Sequence, residues 1–253
     1  IREIIAKMIN SSSDEIALTF NTSYGLNIVA NGIDFKSGDE ILLSDVEFPA
    51  NVYSWLNLRN KGVKIRFVKN ENRFFSIENL VKSINRKTKL LSLSFVQFFN
   101  GYKNNLETIG KICKDNKIIF VVDGIQGIGN SVLDVKKCKI DFLSCGGQKW
   151  LLSSPGTGFF YCSSEFLKKL KPSFFGWLGV DWKVNFTDLL RYNLKPFLSA
   201  RRFEIGSYPY ANLRTFYSSL KLLNQIGIEK IQTHNQKLLD RLSQPHPALF
   251  WPE

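Results

Sequence analysis

Short runs of β-branched and aromatic residues recur at 16–20, 40–43, 64–68, 90–95, 118–122, 141–144 and 158–162. Runs of this length, bounded by turn-forming residues, predict strands. Between the first five of them the period changes. At 51–60, 77–84 and 106–114 apolar residues return every three or four positions and charges fill the other face, which predicts amphipathic helices. Strands alternating with helices imply βαβ units, so the expected architecture is α/β, with a mainly parallel seven-stranded sheet flanked by helices. In such sheets ligands sit at the carboxyl ends of the strands.

From about residue 171 to 210 the pattern breaks down: Phe174, Phe175, Trp177, Trp182 and Phe186 stand among Gly and Pro with no sustained period. A stretch that long without an element predicts a functional loop, an interface or a lid. Helical periodicity resumes at 213–226 and 228–242, and residues 244–253 hold three prolines and read as a tail or linker.

Composition narrows the class. No apolar run approaches the roughly 20 residues a membrane span needs, and the amino-terminal residues mix charges into an amphipathic pattern unlike a signal peptide. No membrane partner is expected. Cys113, Cys138, Cys145 and Cys162 form no C-x-x-C pair, which argues against a disulfide framework or a zinc site and for a reducing, cytoplasmic setting. The formal net charge is +12, yet Lys and Arg are scattered between apolar segments, the mark of a solvated basic surface rather than a nucleic-acid groove.

Chemistry collects where strands end. The run Ile119-Phe120-Val121-Val122 ends on Asp123, followed by Gly124-Ile125-Gln126. Taken alone, Asp-Gly is a common turn pair. The next strand leads into Cys145-Gly146-Gly147-Gln148-Lys149-Trp150-Leu151, placing a lysine after a glycine pair and against apolar neighbours that can make an amine nucleophilic. After the first strand, Asn21-Thr22-Ser23-Tyr24-Gly25 precedes a helix expected at 26–31. Hydroxyls and free N–H groups at a helix start form an anion site, although the same residues also serve as an ordinary N-cap.

Together, D-G-x-Q and D-F-L-x-x-x-G-x-K-W resemble the signature of the class V aminotransferases, fold-type I enzymes dependent on pyridoxal 5′-phosphate (PLP) that include cysteine desulfurases, selenocysteine lyases and isopenicillin-epimerase-like proteins. The resemblance runs from about Glu3 to Leu242. It implies that Lys149 is the Schiff-base lysine, that Asp123 keeps the pyridine nitrogen protonated, and that Gln126 bonds the phenolic oxygen. It further implies that Thr22 and Ser23 grip the phosphate and that Gln148 stands where the family often has a phosphate-contacting histidine. The block Arg202-Phe203-Glu204-Ile205-Gly206-Ser207 resembles R-F-E-x-G-T, whose hydroxyl reaches the phosphate bound by the neighbouring subunit. Ser207 and a homodimer with the active site at its interface are the corresponding expectations. By the same resemblance, residues 1–212 form the PLP-binding large domain, and 213–243 lead toward a small carboxyl-terminal domain largely absent from this chain.

Two departures bear on the reaction. In Asp45-Val46-Glu47-Phe48-Pro49-Ala50-Asn51, which aligns with the desulfurase block E-H-x-A-N, Phe48 replaces the histidine that stacks on the cofactor. Phenylalanine can stack but cannot move protons. Phe98 similarly falls where desulfurases often have asparagine; His234 and His246, the two histidines, lie far along the chain, and none of the four cysteines occupies the nucleophile's place. The implied activity is therefore aminotransferase-like, on an α-amino acid or amine. Desulfurase or lyase chemistry, epimerisation, and an inactive PLP-fold scaffold stay as alternatives.

Overall fold

The computed structural model describes residues 1–181, 190, 192 and 195–242. Its strands are β1 (Ile16–Thr19), β2 (Glu40–Ser44), β3 (Lys64–Val68), β4 (Thr88–Ser94), β5 (Ile119–Asp123), β6 (Phe142–Gly146) and β7 (Gly158–Cys162). They form one seven-stranded sheet in the order β1-β7-β6-β5-β4-β2-β3. Only β7 runs against the others, pairing antiparallel with both β1 and β6. The carboxyl ends of β1, β2, β4, β5 and β6 therefore share one edge.

The helices are α1 (Arg2–Met8), α2 (Thr22–Gly32), α3 (Ala50–Leu56), α4 (Ile77–Ser83), α5 (Leu106–Asp115), α6 (Ser164–Leu167), α7 (Tyr210–Ile226) and α8 (Ile228–Leu242). They cover both faces of the sheet, so alternate residues of a single strand enter different cores. Leu42 joins a cluster with Phe120, Leu143 and Phe216, whereas Ile41 and Leu43 join Leu26, Trp55 and Phe160 on the other side. Strands buried on both faces read as continuous apolar runs, which is why six of the seven were visible as sequence pattern; the edge strand β3, partly exposed, instead alternates apolar and charged residues.

Boundaries depart where local rules compete with periodicity. The pattern at 51–60 divides into α3 and a 3₁₀ segment, Asn57–Lys61, that ends at Gly62 with φ of 77°. Helix α2 starts at Thr22 rather than 26, because the Asn21 side chain caps it by accepting the Tyr24 N–H at 2.9 Å. Helix α1 has seven residues, too few to announce themselves by period. Packing on α7 and an ion pair from Arg2 to the buried Glu204 hold it in place.

Within 171–210 the described residues are more ordered than their sequence suggests. Short 3₁₀ turns lie at Trp177–Gly179 and Ala200–Phe203, and Val180 bridges to Pro196. Trp182, Phe186 and the tail at 244–253 lie outside the described residues. No described helix is long and apolar enough to cross a membrane.

Candidate active site

Five loops leaving the shared edge build the site. The loop after β1 is the start of α2, whose Thr22 and Ser23 N–H groups fall in the first turn, where helical N–H groups lack intrahelical partners. Thr22 is buried, and its hydroxyl oxygen accepts the Gly146 N–H at 2.9 Å. The Ser144 hydroxyl donates to the Thr22 carbonyl at 2.7 Å. The helix start is thus fastened to the strand that delivers the lysine. Gly25 permits that closeness: a Cβ there would fall 2.3 Å from Ser144 Oγ. Ser23 is exposed and keeps its hydroxyl free of these contacts.

Beyond β6 the chain makes a compact loop. The Gly147 N–H donates to the Thr157 carbonyl at 2.8 Å and the Ser153 N–H to the Gly147 carbonyl at 2.9 Å. Lys149 is half-buried on this loop, with Nζ 5.5 Å from the centre of the Phe48 ring. Gln148 is exposed and folds back over Gly146, where a Cβ would fall 2.4 Å from its Oε1. Phe48 follows β2 and meets Phe98, which follows β4, edge to face with ring centres 5.2 Å apart.

Asp123 ends β5 and is 2% exposed, with Oδ1 accepting the Ile125 N–H at 3.0 Å. No cation among the described residues lies within ion-pair distance of it. Burial pushes its pKa up to about 7; the Ile125 N–H opposes this, the charge of Glu47 adds to it, and the Lys149 ammonium pulls the other way. Asp123, Lys149 and Phe48, widely separated in sequence, are thereby gathered at one place. Gln126 lines a neighbouring cleft of about 670 Å³ with Phe98, Trp150, Asn130 and Asn235.

One candidate stands apart from this centre. Ser207 is exposed on the turn before α7 and shares none of the side-chain bonds that link the other loops. Its block is tied down by Glu204, which accepts from the Leu18 N–H at 2.9 Å, and by Arg202, which donates to the Phe197 and Leu167 carbonyls. His234 is exposed on α8, and His246 lies outside the described residues. All four cysteines are free and buried, and burial raises each thiol above its ordinary pKa. Nucleophilic work by any of them is disfavoured.

The sequence reading passed over Glu47, Asn51, Ser94 and Gln97. Glu47 is buried and accepts from Asn51 Nδ2 at 3.0 Å, the Ser94 N–H at 2.9 Å, the Ser94 hydroxyl at 2.5 Å and Gln97 Nε2 at 2.8 Å. A carboxylate immediately before Phe48, just past the end of a strand, was the available signal.

Comparison with known proteins agrees with this arrangement. The family model for aminotransferase class-V matches residues 1–245. A probable cysteine desulfurase of Methanothermobacter thermautotrophicus is 34% identical over 242 residues, covering 95% of this chain and 59% of its own length. One from Ureaplasma parvum is 35% identical, covering 94% and 58%. The apo structure of a cysteine desulfurase from Thermococcus onnurineus superposes with a TM-score of 0.85 at 30% identity, covering 96% of this chain and 60% of that one. The chain therefore spans somewhat under two thirds of the length of these relatives. With a match that runs over nearly all of its residues, the chain belongs to the aminotransferase class-V family of PLP-dependent enzymes.

Proposed function

We propose that this chain is the cofactor domain of a PLP-dependent enzyme acting on an α-amino acid or amine, with Lys149 as the residue that attaches the cofactor. The observation that carries the reading is the pairing of a buried carboxylate, Asp123, with a half-buried lysine on the next loop of the same sheet edge. The donor set fits PLP along its length. Asp123 offers an acceptor to a ring nitrogen, Phe48 offers a face to the ring, and the open first turn of α2 offers Thr22 and Ser23 N–H groups to a phosphate. Gln126 would meet the phenolic oxygen, and Gln148 and the partner subunit's counterpart of Ser207 would add to the phosphate contacts.

When bound, PLP supplies a cationic ring that takes up the electron pair released as a bond at the substrate Cα breaks. The chain's own residues then have simple tasks. Asp123 would hold a proton at the ring nitrogen, and Lys149 would move a proton at the substrate Cα. Phe48, buttressed by Phe98, would cover one face of the ring without titrating. Transamination needs only this set and a second proton site. The exposed rings of Phe174 and Phe175 support a homodimer, since neighbouring exposed aromatic surface wants cover.

Protein incubated with PLP should develop the absorption of a lysine-bound cofactor, fixed by borohydride on Lys149, and Lys149→Ala should remove it. Wild-type protein showing no such absorption at saturating PLP would end the enzyme reading and favour a scaffold.

Cysteine desulfuration is a second reading, favoured by the names of the relatives. The burial of Cys113, Cys138, Cys145 and Cys162 keeps these four from serving as its nucleophile, because none can reach a substrate from inside the core. We expect an amino-acid panel to yield keto acid without sulfide from cysteine; sulfide at an enzymatic rate would reverse that order.

A further inference from the structure

Glu47 is a charged group that no step above uses. It is 8% exposed, follows β2, and has no cation within ion-pair distance among the described residues. Three of its four donors are N–H groups that cannot reverse roles: Ser94 N, Asn51 Nδ2 and Gln97 Nε2. The orientation of the Asn51 amide is set independently, since its Oδ1 accepts from Trp55 Nε1 at 3.2 Å and from the Ser92 hydroxyl at 2.5 Å. Gln97 commits its nitrogen to Glu47 and leaves its own Oε1 buried without a partner. This cradle favours an ionised carboxylate, because a protonated one would face donors with a donor.

Its position is specific. Ser94, bonded to Glu47 through both backbone and hydroxyl, is the residue of β4 paired with Asp123 of β5. A second negative charge is thus built next to the carboxylate that faces the ring nitrogen. Leaving a buried carboxylate without a cation is expensive, and hydrogen bonding alone offsets it here.

We propose that Glu47 is a positioning residue of the cofactor site: its charge, held against β4 beside Asp123, keeps the proton on the Asp123–ring nitrogen pair, and its cradle fixes the turn that presents Phe48. The inference rests on the PLP reading above. Among the described residues, the charged groups facing Asp123 are Glu47 from the loop after β2 and Lys149 from the loop after β6, with the Cys145 thiol of β6 behind. Removing the charge at position 47 should lower the proton affinity of the whole conjugated cofactor, including its linkage to Lys149.

The test is a pH titration of the absorbance of Lys149-bound PLP in wild type, Glu47→Asp, and the double variant Glu47→Gln with Asn51→Asp. The double variant exchanges amide and carboxylate within one hydrogen-bonded pair, so every bond of the cradle can be kept. The charge, however, retreats from the level of Ser94 to that of Ser92, two residues or about 7 Å along β4. We expect its midpoint to fall by about half to one pH unit, with PLP affinity reduced several-fold, while Glu47→Asp stays near wild type. In PLP-free protein the Asp123 carboxyl, followed by its carbon-13 resonance, should titrate lower in the double variant. An unchanged midpoint in the folded double variant, or equal shifts in both variants, would overturn the proposal. Wild-type protein that binds no PLP would instead remove the reading it stands on. Should the double variant not fold, Glu47→Gln read by the same carbon-13 titration decides it, and an unmoved Asp123 resonance counts against it.

Discussion

Asp123→Asn is expected to make the PLP-free protein more stable above neutral pH while weakening its hold on the cofactor. Burial pushes the Asp123 carboxyl up to about 7, against roughly 4 in an unfolded chain. A group whose folded pKa is raised contributes fully below its unfolded value, and that contribution is lost as pH rises from about 4 to about 7. At about pH 8 the ionised carboxylate should therefore cost on the order of 2–4 kcal/mol relative to an amide of the same shape. Asparagine can still accept the Ile125 N–H through its oxygen, so the β5 end keeps its local bond. Thermal or urea unfolding of both proteins across about pH 3 to 9 checks this: the curves should meet below about pH 4, diverge between about 4 and 7, and keep a constant gap above that. Asp141, which burial raises to about 6, titrates in both and serves as an internal control. Parallel curves would mean that Asp123 is not desolvated. With PLP present that advantage should narrow, since a charge-assisted hydrogen bond of about 1.5–3 kcal/mol is lost, reducing PLP affinity roughly 10- to 100-fold. A residue that destabilises the empty fold and serves the cofactor follows the usual trade between stability and function.

The second large effect concerns the fold beneath the site. Glu204 is 3% exposed; it receives Arg2 of α1 in a forked ion pair and the Leu18 N–H of β1. The Leu18 carbonyl is engaged as well, by the Tyr208 hydroxyl at 2.9 Å. Strand β1 lies at the edge of the sheet, with β7 its single neighbour, so its free side is completed by side chains from this later block. Glu204→Ala strands a buried N–H and unpairs Arg2, though Arg2 is 28% exposed and can turn to water. We expect a loss of about 2–4 kcal/mol, and about half of that for Glu204→Gln, which retains an acceptor for Leu18. A denaturant midpoint for Glu204→Ala indistinguishable from wild type would show that β1 is held without the clamp. Because β1 leads directly into Thr22, weakened PLP binding should accompany the loss.

The contrast between these residues explains what could be read early. Asp123 and Lys149 stood out because each follows a strand that announces itself as an apolar run, and a polar group at such a boundary is conspicuous. Glu204 sat inside a block whose resemblance drew attention to Ser207, yet the structure gives the block a different first task, which is to clamp α1 and β1. Glu47 was hidden for another reason. Its meaning depends on Ser94 and Gln97, about fifty residues away, and no local pattern encodes that β2 and β4 become neighbours through a crossover.

By itself the sequence determined the seven strands, the alternation that makes the sheet mainly parallel, and the chemistry available at its edge. These follow from short-range rules: burial on both faces forces continuous apolar runs, and turns demand Gly, Asp and Asn. Tertiary structure alone decided the strand order, which placed Asp123 between Glu47 and Lys149, and sealed all four cysteines in the core. Strand order is a matter of long-range pairing, and the field at Asp123 is a sum over groups that only the folded sheet brings within reach of one another.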